Sequence, residues 1–141
     1  MTLEANKALV QRFVDAYNRF DLEALGETVA VDFIEHGDSG QSGREALLAY
    51  ASMLHTAFPD ITNTIEDIIA EGDKVVTRTL VRGTHLGEMM GMPPTGRQIS
   101  IATMNSFRVA NGKLAEHWAV ADTFGMMQQL GVISAPGSTQ H

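Results

Sequence analysis

Cysteine is absent from this chain. Disulfides, thiolate nucleophiles and zinc–sulfur centres are therefore excluded. Positive charge is in short supply: 10 Lys and Arg stand against 17 Asp and Glu, for a net charge of −7. General binding to nucleic acid or to an anionic membrane needs a basic face, which this balance does not supply. No apolar run approaches about 18 residues, and no basic-then-apolar segment opens the sequence. Neither a membrane span nor a leader is expected, and the default location is cytoplasmic. Metal-ligand spacings are missing as well: His36, His55, His85, His117 and His141 are scattered, without His-x-His or His-Glu-x-x-His. There is no Gly-x-Gly-x-x-Gly, P-loop or Gly-x-Ser-x-Gly, which removes the usual nucleotide, flavin and serine-hydrolase readings.

What is present is an ordinary globular composition, 44% hydrophobic and 19% charged, in 141 residues. One domain over residues 1–133 is expected, followed by a small, polar, flexible tail over 134–141. Leu9, Val10, Phe13, Val14, Tyr17 and Phe20 fall on one helical stripe, with Thr2 as N-cap. Asp21 can cap a second, short helix. Ser42 and Glu45 match a capping box for a third, whose apolar face runs through Leu47, Tyr50, Ala51, Leu54 and Phe58 until Pro59 stops it. From Ile61 the pattern turns to strands: Ile61 to Ala70, Val75 to Arg82, Gln98 to Ala110, and Leu114 to about Asp122. Asn111-Gly112 is a strong hairpin signal, since both residues tolerate the positive φ of a type I′ turn. Helices followed by an antiparallel meander make an α+β domain, with three N-terminal helices packed on one face of the sheet.

Several side chains are candidates for chemistry. His117 lies mid-strand, on the face opposite Trp118, and is read either as an acid–base group near neutral pH or as a hydrogen-bonded sheet histidine. Asp122, at the end of the same strand, is either a base at a pocket mouth or the N-cap of a short closing helix. Glu35 and His36 are adjacent in an extended piece, so only one of them can face a given pocket. Tyr17 is a core tyrosine whose hydroxyl can meet a ligand. Asn105 is unfavourable mid-strand by propensity, which points to a hydrogen-bonding role. Met90 belongs to a soft Met89, Met90 and Met92 cluster that fits an irregular ligand, a dimer contact or a lid.

Two segments carry a resemblance. One is Gly83-Thr84-His85-Leu86-Gly87-Glu88 with Pro94-Thr95-Gly96-Arg97; the other runs from Asn111-Gly112-Lys113 through His117-Trp118 to Gln129-Leu130-Gly131. Over about residues 6 to 131 the chain resembles the SnoaL-like polyketide cyclases (ester cyclases) of the NTF2-like superfamily. The resemblance implies an NTF2-like, cystatin-like cone with a strongly curved sheet and an apolar pocket, a homodimer, a small apolar molecule as partner, and no cofactor. It implies proton abstraction by an Asp, followed by ring closure. That Asp falls on Ala119, the His that assists it on Asn105, a pocket Asn on or beside Glu35, and a pocket Tyr on Tyr17. The frame is kept and its base is missing, with His117 as the best replacement. The expected function is acid–base catalysis on a polyketide-like or other apolar molecule, of cyclase, isomerase or hydrolase type. The alternatives are a non-catalytic small-molecule binder and an interaction module.

Overall fold

A computed structural model describes residues 2–37 and 42–133, so the tail over 134–141 lies outside the described residues. Helix α1 spans Leu3–Asn18, with the Thr2 hydroxyl accepting the Ala5 N–H at 3.0 Å. Helix α2 spans Leu22–Glu27, capped by the Asp21 carboxylate on the Ala24 N–H. These caps satisfy N–H groups that the first helical turn leaves free. Strand β1 is Val29–Glu35 and helix α3 is Arg44–Ala57. Then come strands β2 (Thr62–Glu71), β3 (Lys74–Thr84), β4 (Gln98–Ala110) and β5 (Lys113–Ala121), and helix α4 (Thr123–Gln129).

The capping box at the start of α3 is corrected by the structure. Gly43 holds the N-cap position at φ 103°, with no side-chain cap. The Ser42 hydroxyl instead accepts the Glu35 N–H at 2.9 Å, and the Gly43 N–H donates to the Phe33 carbonyl. The chain returning from β1 lies back along it, so the serine serves the strand rather than the helix.

The sheet order is β1-β5-β4-β3-β2. The expected meander is present as three antiparallel pairs. Asn111 and Gly112 have φ of 53° and 74°, as a type I′ hairpin requires. Strand β1 adds a fourth pairing, parallel to β5, with Ile34 opposite Glu116 and Glu35 opposite His117. Register shifts interrupt the β1–β5, β2–β3 and β4–β5 ladders, the irregularities that let a sheet curve. The curved sheet holds α1 against its concave face.

Two apolar clusters fill the interior. One joins Leu9 and Val10 of α1 to Phe33, Val75, Phe107 and Leu114, near the hairpin end. The other joins Ala16 and Tyr17 to Phe58, Ile61, Met89, Ile99 and Leu130, near the β3–β4 loop and α4. That loop is a rivet. His85 is fully buried, and its Nδ1 accepts the Thr95 N–H at 3.2 Å. The Leu86 and Gly87 N–H groups both donate to the Ala57 carbonyl at the end of α3. Among the described residues no helix is long and apolar enough to cross a membrane.

Candidate active site

Strand parity sends Glu35 and His117 to the concave face, and the parallel pairing puts them side by side. His117 Nδ1 lies 2.9 and 2.8 Å from the two Glu35 oxygens, and His117 Nε2 lies 3.0 Å from Asn105 Oδ1. Asn105 Nδ2 donates to Thr103 Oγ1 at 3.2 Å, and Thr103 Oγ1 to the Thr79 carbonyl at 3.4 Å. A polar seam thus crosses the concave face from β1 through β5 and β4 to β3. The Gly37 N–H holds Glu35 Oε2 at 2.9 Å. A Cβ at Gly37 would sit only 2.9 Å from that oxygen, so a side chain there would press on the carboxylate. The His117 ring stacks on Phe107 at 4.6 Å and 21°, with Phe33 beyond it at 6.4 Å. The side chains of His117 and Glu35 are 14% and 11% exposed, so the couple is sheltered yet reachable.

The protonation logic follows from atom types. A carboxylate only accepts, so Nδ1 carries the proton of the Glu35 bond. The amide of Asn105 meets Nε2 with its oxygen when Nε2 is protonated. Turned over, it meets a bare Nε2 with its NH2, while its oxygen takes the Thr103 hydroxyl proton. One residue therefore serves both charge states of the imidazole.

Along the same face, Phe107 and Ile101 are buried, whereas Thr103, Asn105, His117, Ala119 and Ala121 are only partly so. The concave surface is thus only partly covered where the polar seam crosses β4 and β5. Ala119 lies opposite Asn105 in this stretch. An open groove of about 480 Å³ lies elsewhere, between α1, α2 and the β4–β5 hairpin, lined by Arg12, Asp15, Arg19, Glu27 and Lys113. It does not touch His117.

Tyr17 is buried on α1, with its ring edge against His55 at 4.8 Å. Burial, and to a lesser degree the neighbouring Tyr50, push its phenol far above the ordinary range, so it stays a neutral donor. His55, which no sequence signal singled out, is buried. Its Nδ1–H donates to the Ala51 carbonyl at 3.1 Å, and burial lowers its pKa.

Three expected site residues stand apart. His36 faces outward, because it is one residue from the inward Glu35; it bonds Glu116 and stacks on Trp118. Met90 is 74% exposed at the tip of a turn between Met89 and Met92, where its φ of 49° and that of Gly91 reverse the chain. Its neighbour Met89 is the one packed in the core. Asp122 is exposed and is the N-cap of α4, accepting the Gly125 N–H at 2.9 Å. Asp122→Ala is expected to cost about 1 kcal/mol of stability through loss of the cap, measured by urea unfolding, and to leave turnover unchanged.

Comparison with known proteins adds chemistry to this geometry. The family model for the SnoaL-like polyketide cyclases matches residues 7–130. An aklanonic acid methyl ester cyclase from Streptomyces peucetius is 31% identical over 129 residues, covering 87% of this chain and 88% of the relative. A solved candidate polyketide cyclase from Streptomyces antibioticus is 38% identical with a TM-score of 0.79, covering 89% of this chain and 98% of its own. A solved candidate hydroxylase from Streptomyces galilaeus is 30% identical with a TM-score of 0.85, covering 95% and 85%.

Proposed function

Because the chain belongs to the SnoaL-like polyketide cyclase family, we propose that it catalyses acid–base ring closure on a small, largely apolar polyketide-like molecule, without a cofactor. The carrying observation is the Glu35–His117–Asn105 constellation on a partly covered stretch of the concave face. His117 Nε2, once Asn105 turns its amide, takes the acidic proton from a carbon flanked by carbonyls. The Asn105 NH2 then turns to the enolate oxygen. The enolate carbon attacks a second carbonyl of the same molecule, and the resulting alkoxide recovers the proton from Nε2. Glu35 holds the imidazole in one tautomer throughout and balances its charge.

In this scheme the acid of the site has changed strands. The resemblance places the family's Asp at Ala119 on β5, and here the carboxylate reaches the same region from β1. The resemblance also gives Tyr17 of α1 a place in the pocket, and burial keeps its phenol a neutral donor. The protein acts as a homodimer; the exposed apolar side chains Ile34, Met104 and Val120 on the outer sheet face support this, and sedimentation velocity tests it. A cytoplasmic location remains part of the proposal.

The second reading, a binder without turnover, is favoured by one observation, the alanine at 119. The experiment is incubation with an aromatic β-keto methyl ester bearing a pendant ketone, followed by deuterium exchange at the acidic carbon and by ring closure. Exchange and closure support the enzyme. Saturable binding with neither supports the binder.

A further inference from the structure

Two carboxylate–imidazole couples stand back to back on strands β1 and β5. Inside, β1 gives the acid and β5 the imidazole: Glu35 and His117, at 2.8 Å. Outside, the roles are exchanged: His36 Nε2 meets Glu116 Oε2 at 2.6 Å. Glu116 uses its other oxygen to accept from Arg108 Nε at 2.8 Å. The His36 ring lies flat on Trp118, with centroids 4.9 Å apart and planes 9° apart, and Lys74 Nζ sits 5.7 Å from the indole centroid. The His36 N–H donates to the His117 carbonyl, so the same residue ties the two strands through backbone and side chain.

We propose that His36 is a positioning residue for the inner couple, acting with Glu116 and Arg108 as an outer clamp that fixes where the end of β1 presents Glu35. The proposal rests on His117 being the acid–base group. Three observations carry it. The β1–β5 ladder is short and loses register between Val29 and Ile34, so the paired stretch at Ile34–Glu35 needs holding of its own. A one-residue slip of a strand turns every side chain to the other face. Advancing β1 by one would set His36 against His117 and Glu35 against Glu116, leaving like beside like in both couples. The native register alone gives each acid an imidazole, and the outer couple penalises the slip. Glu116 also suits the role of an anchor, because Arg108 first and His36 second hold its carboxyl below the ordinary range, so it stays ionised.

The test compares His36→Leu, His36→Gln and Glu116→Gln. Leucine removes the donor, whereas glutamine can place an N–H near the former Nε2. We expect His36→Leu and Glu116→Gln to lower kcat about tenfold with KM within about twofold, because Glu35 shifts without loss of substrate contacts. His36→Gln is expected to stay within about threefold of the parent. The imidazole N–H resonances of His117, read by 15N NMR, report the inner couple without any turnover. The Nδ1–H signal is expected to be lost or broadened in His36→Leu and kept in His36→Gln. An unchanged signal in both His36→Leu and Glu116→Gln overturns the clamp, whatever the activity. Loss of the signal in a protein that turns over nothing upholds the clamp and removes the catalytic scheme instead. Equal damage in the Leu and Gln variants also overturns it, since the donor would then be irrelevant.

Discussion

Replacing His117 with alanine is expected to lower kcat/KM by about three orders of magnitude, within the range that a positioned general acid–base group contributes. The size follows from what is left behind. Ala119 cannot take a proton, and the amide of Asn105 has no useful basicity. Glu35 remains, but the Gly37 N–H holds one of its oxygens, and its other contact in the seam, His117, is the residue removed. Glu35→Gln should cost less, about tenfold, because the glutamine carbonyl still accepts the Nδ1–H and keeps the tautomer while the countercharge is lost. The two losses should not add in the double variant, since Glu35 acts only through the imidazole. Steady-state kinetics on a turned-over β-keto ester, with thermal unfolding as a folding check, makes the measurement. Retention of activity within twofold in His117→Ala would place the base elsewhere.

The largest expected effect on stability lies far from that couple, at Gly87. A Cβ built there would stand 2.2 Å from the Thr56 carbonyl oxygen, 2.9 Å from its carbon and 3.2 Å from Ala57 Cα. All three are backbone atoms at the end of α3, so no side chain can swing aside. The loop must instead lift, which breaks the Leu86 and Gly87 hydrogen bonds to the Ala57 carbonyl and loosens the packing around Phe58 and His85. Gly87→Ala is therefore expected to destabilise by about 3 kcal/mol, the upper part of the overpacking range. In a chain of this size that corresponds to a drop of about 10 °C in Tm. Gly26→Ala is the matched control. Its added methyl meets only ordinary contacts at 3.7 Å and sits inside helix α2. There alanine should be neutral or stabilise by up to about 1 kcal/mol. Calorimetry on the pair distinguishes close backbone approach from the general effect of removing a glycine.

Legibility in the sequence divides along the range of the interactions. Helix α1, the four strands of the antiparallel meander and the Asn111-Gly112 turn are set by local periodicity and turn chemistry, and their expected bounds agree closely with the structure. Strand β1 is visible only as a short apolar piece, because its partner lies some eighty residues on and parallel pairing leaves no local mark. For the same reason parity says that Glu35 and His36 face opposite ways but not which one faces in. The distant partner strand decides that. The capping box fails where a tertiary demand takes the serine: Ser42 bonds the Glu35 N–H of β1. Asp122 carries two readings because a carboxylate before Thr-Phe-Gly satisfies both a helix cap and a pocket, and only coordinates show Gly125 beneath it. Alternation sets His117 on the face opposite Trp118, and only the folded sheet shows that this face, shared with Asn105 and Thr103, is the inward one. Their linkage into a seam requires the register between strands.

The lone indole of the chain, Trp118, sits immediately after His117 but on the opposite surface, flat against His36. Its emission therefore has a single source, and among the described residues the ring stacked on it is that of His36, a member of the outer couple. The protein carries an intrinsic optical gauge on the back wall of its concave surface. Any event that drags the end of β1 along β5 alters that signal without a label being added.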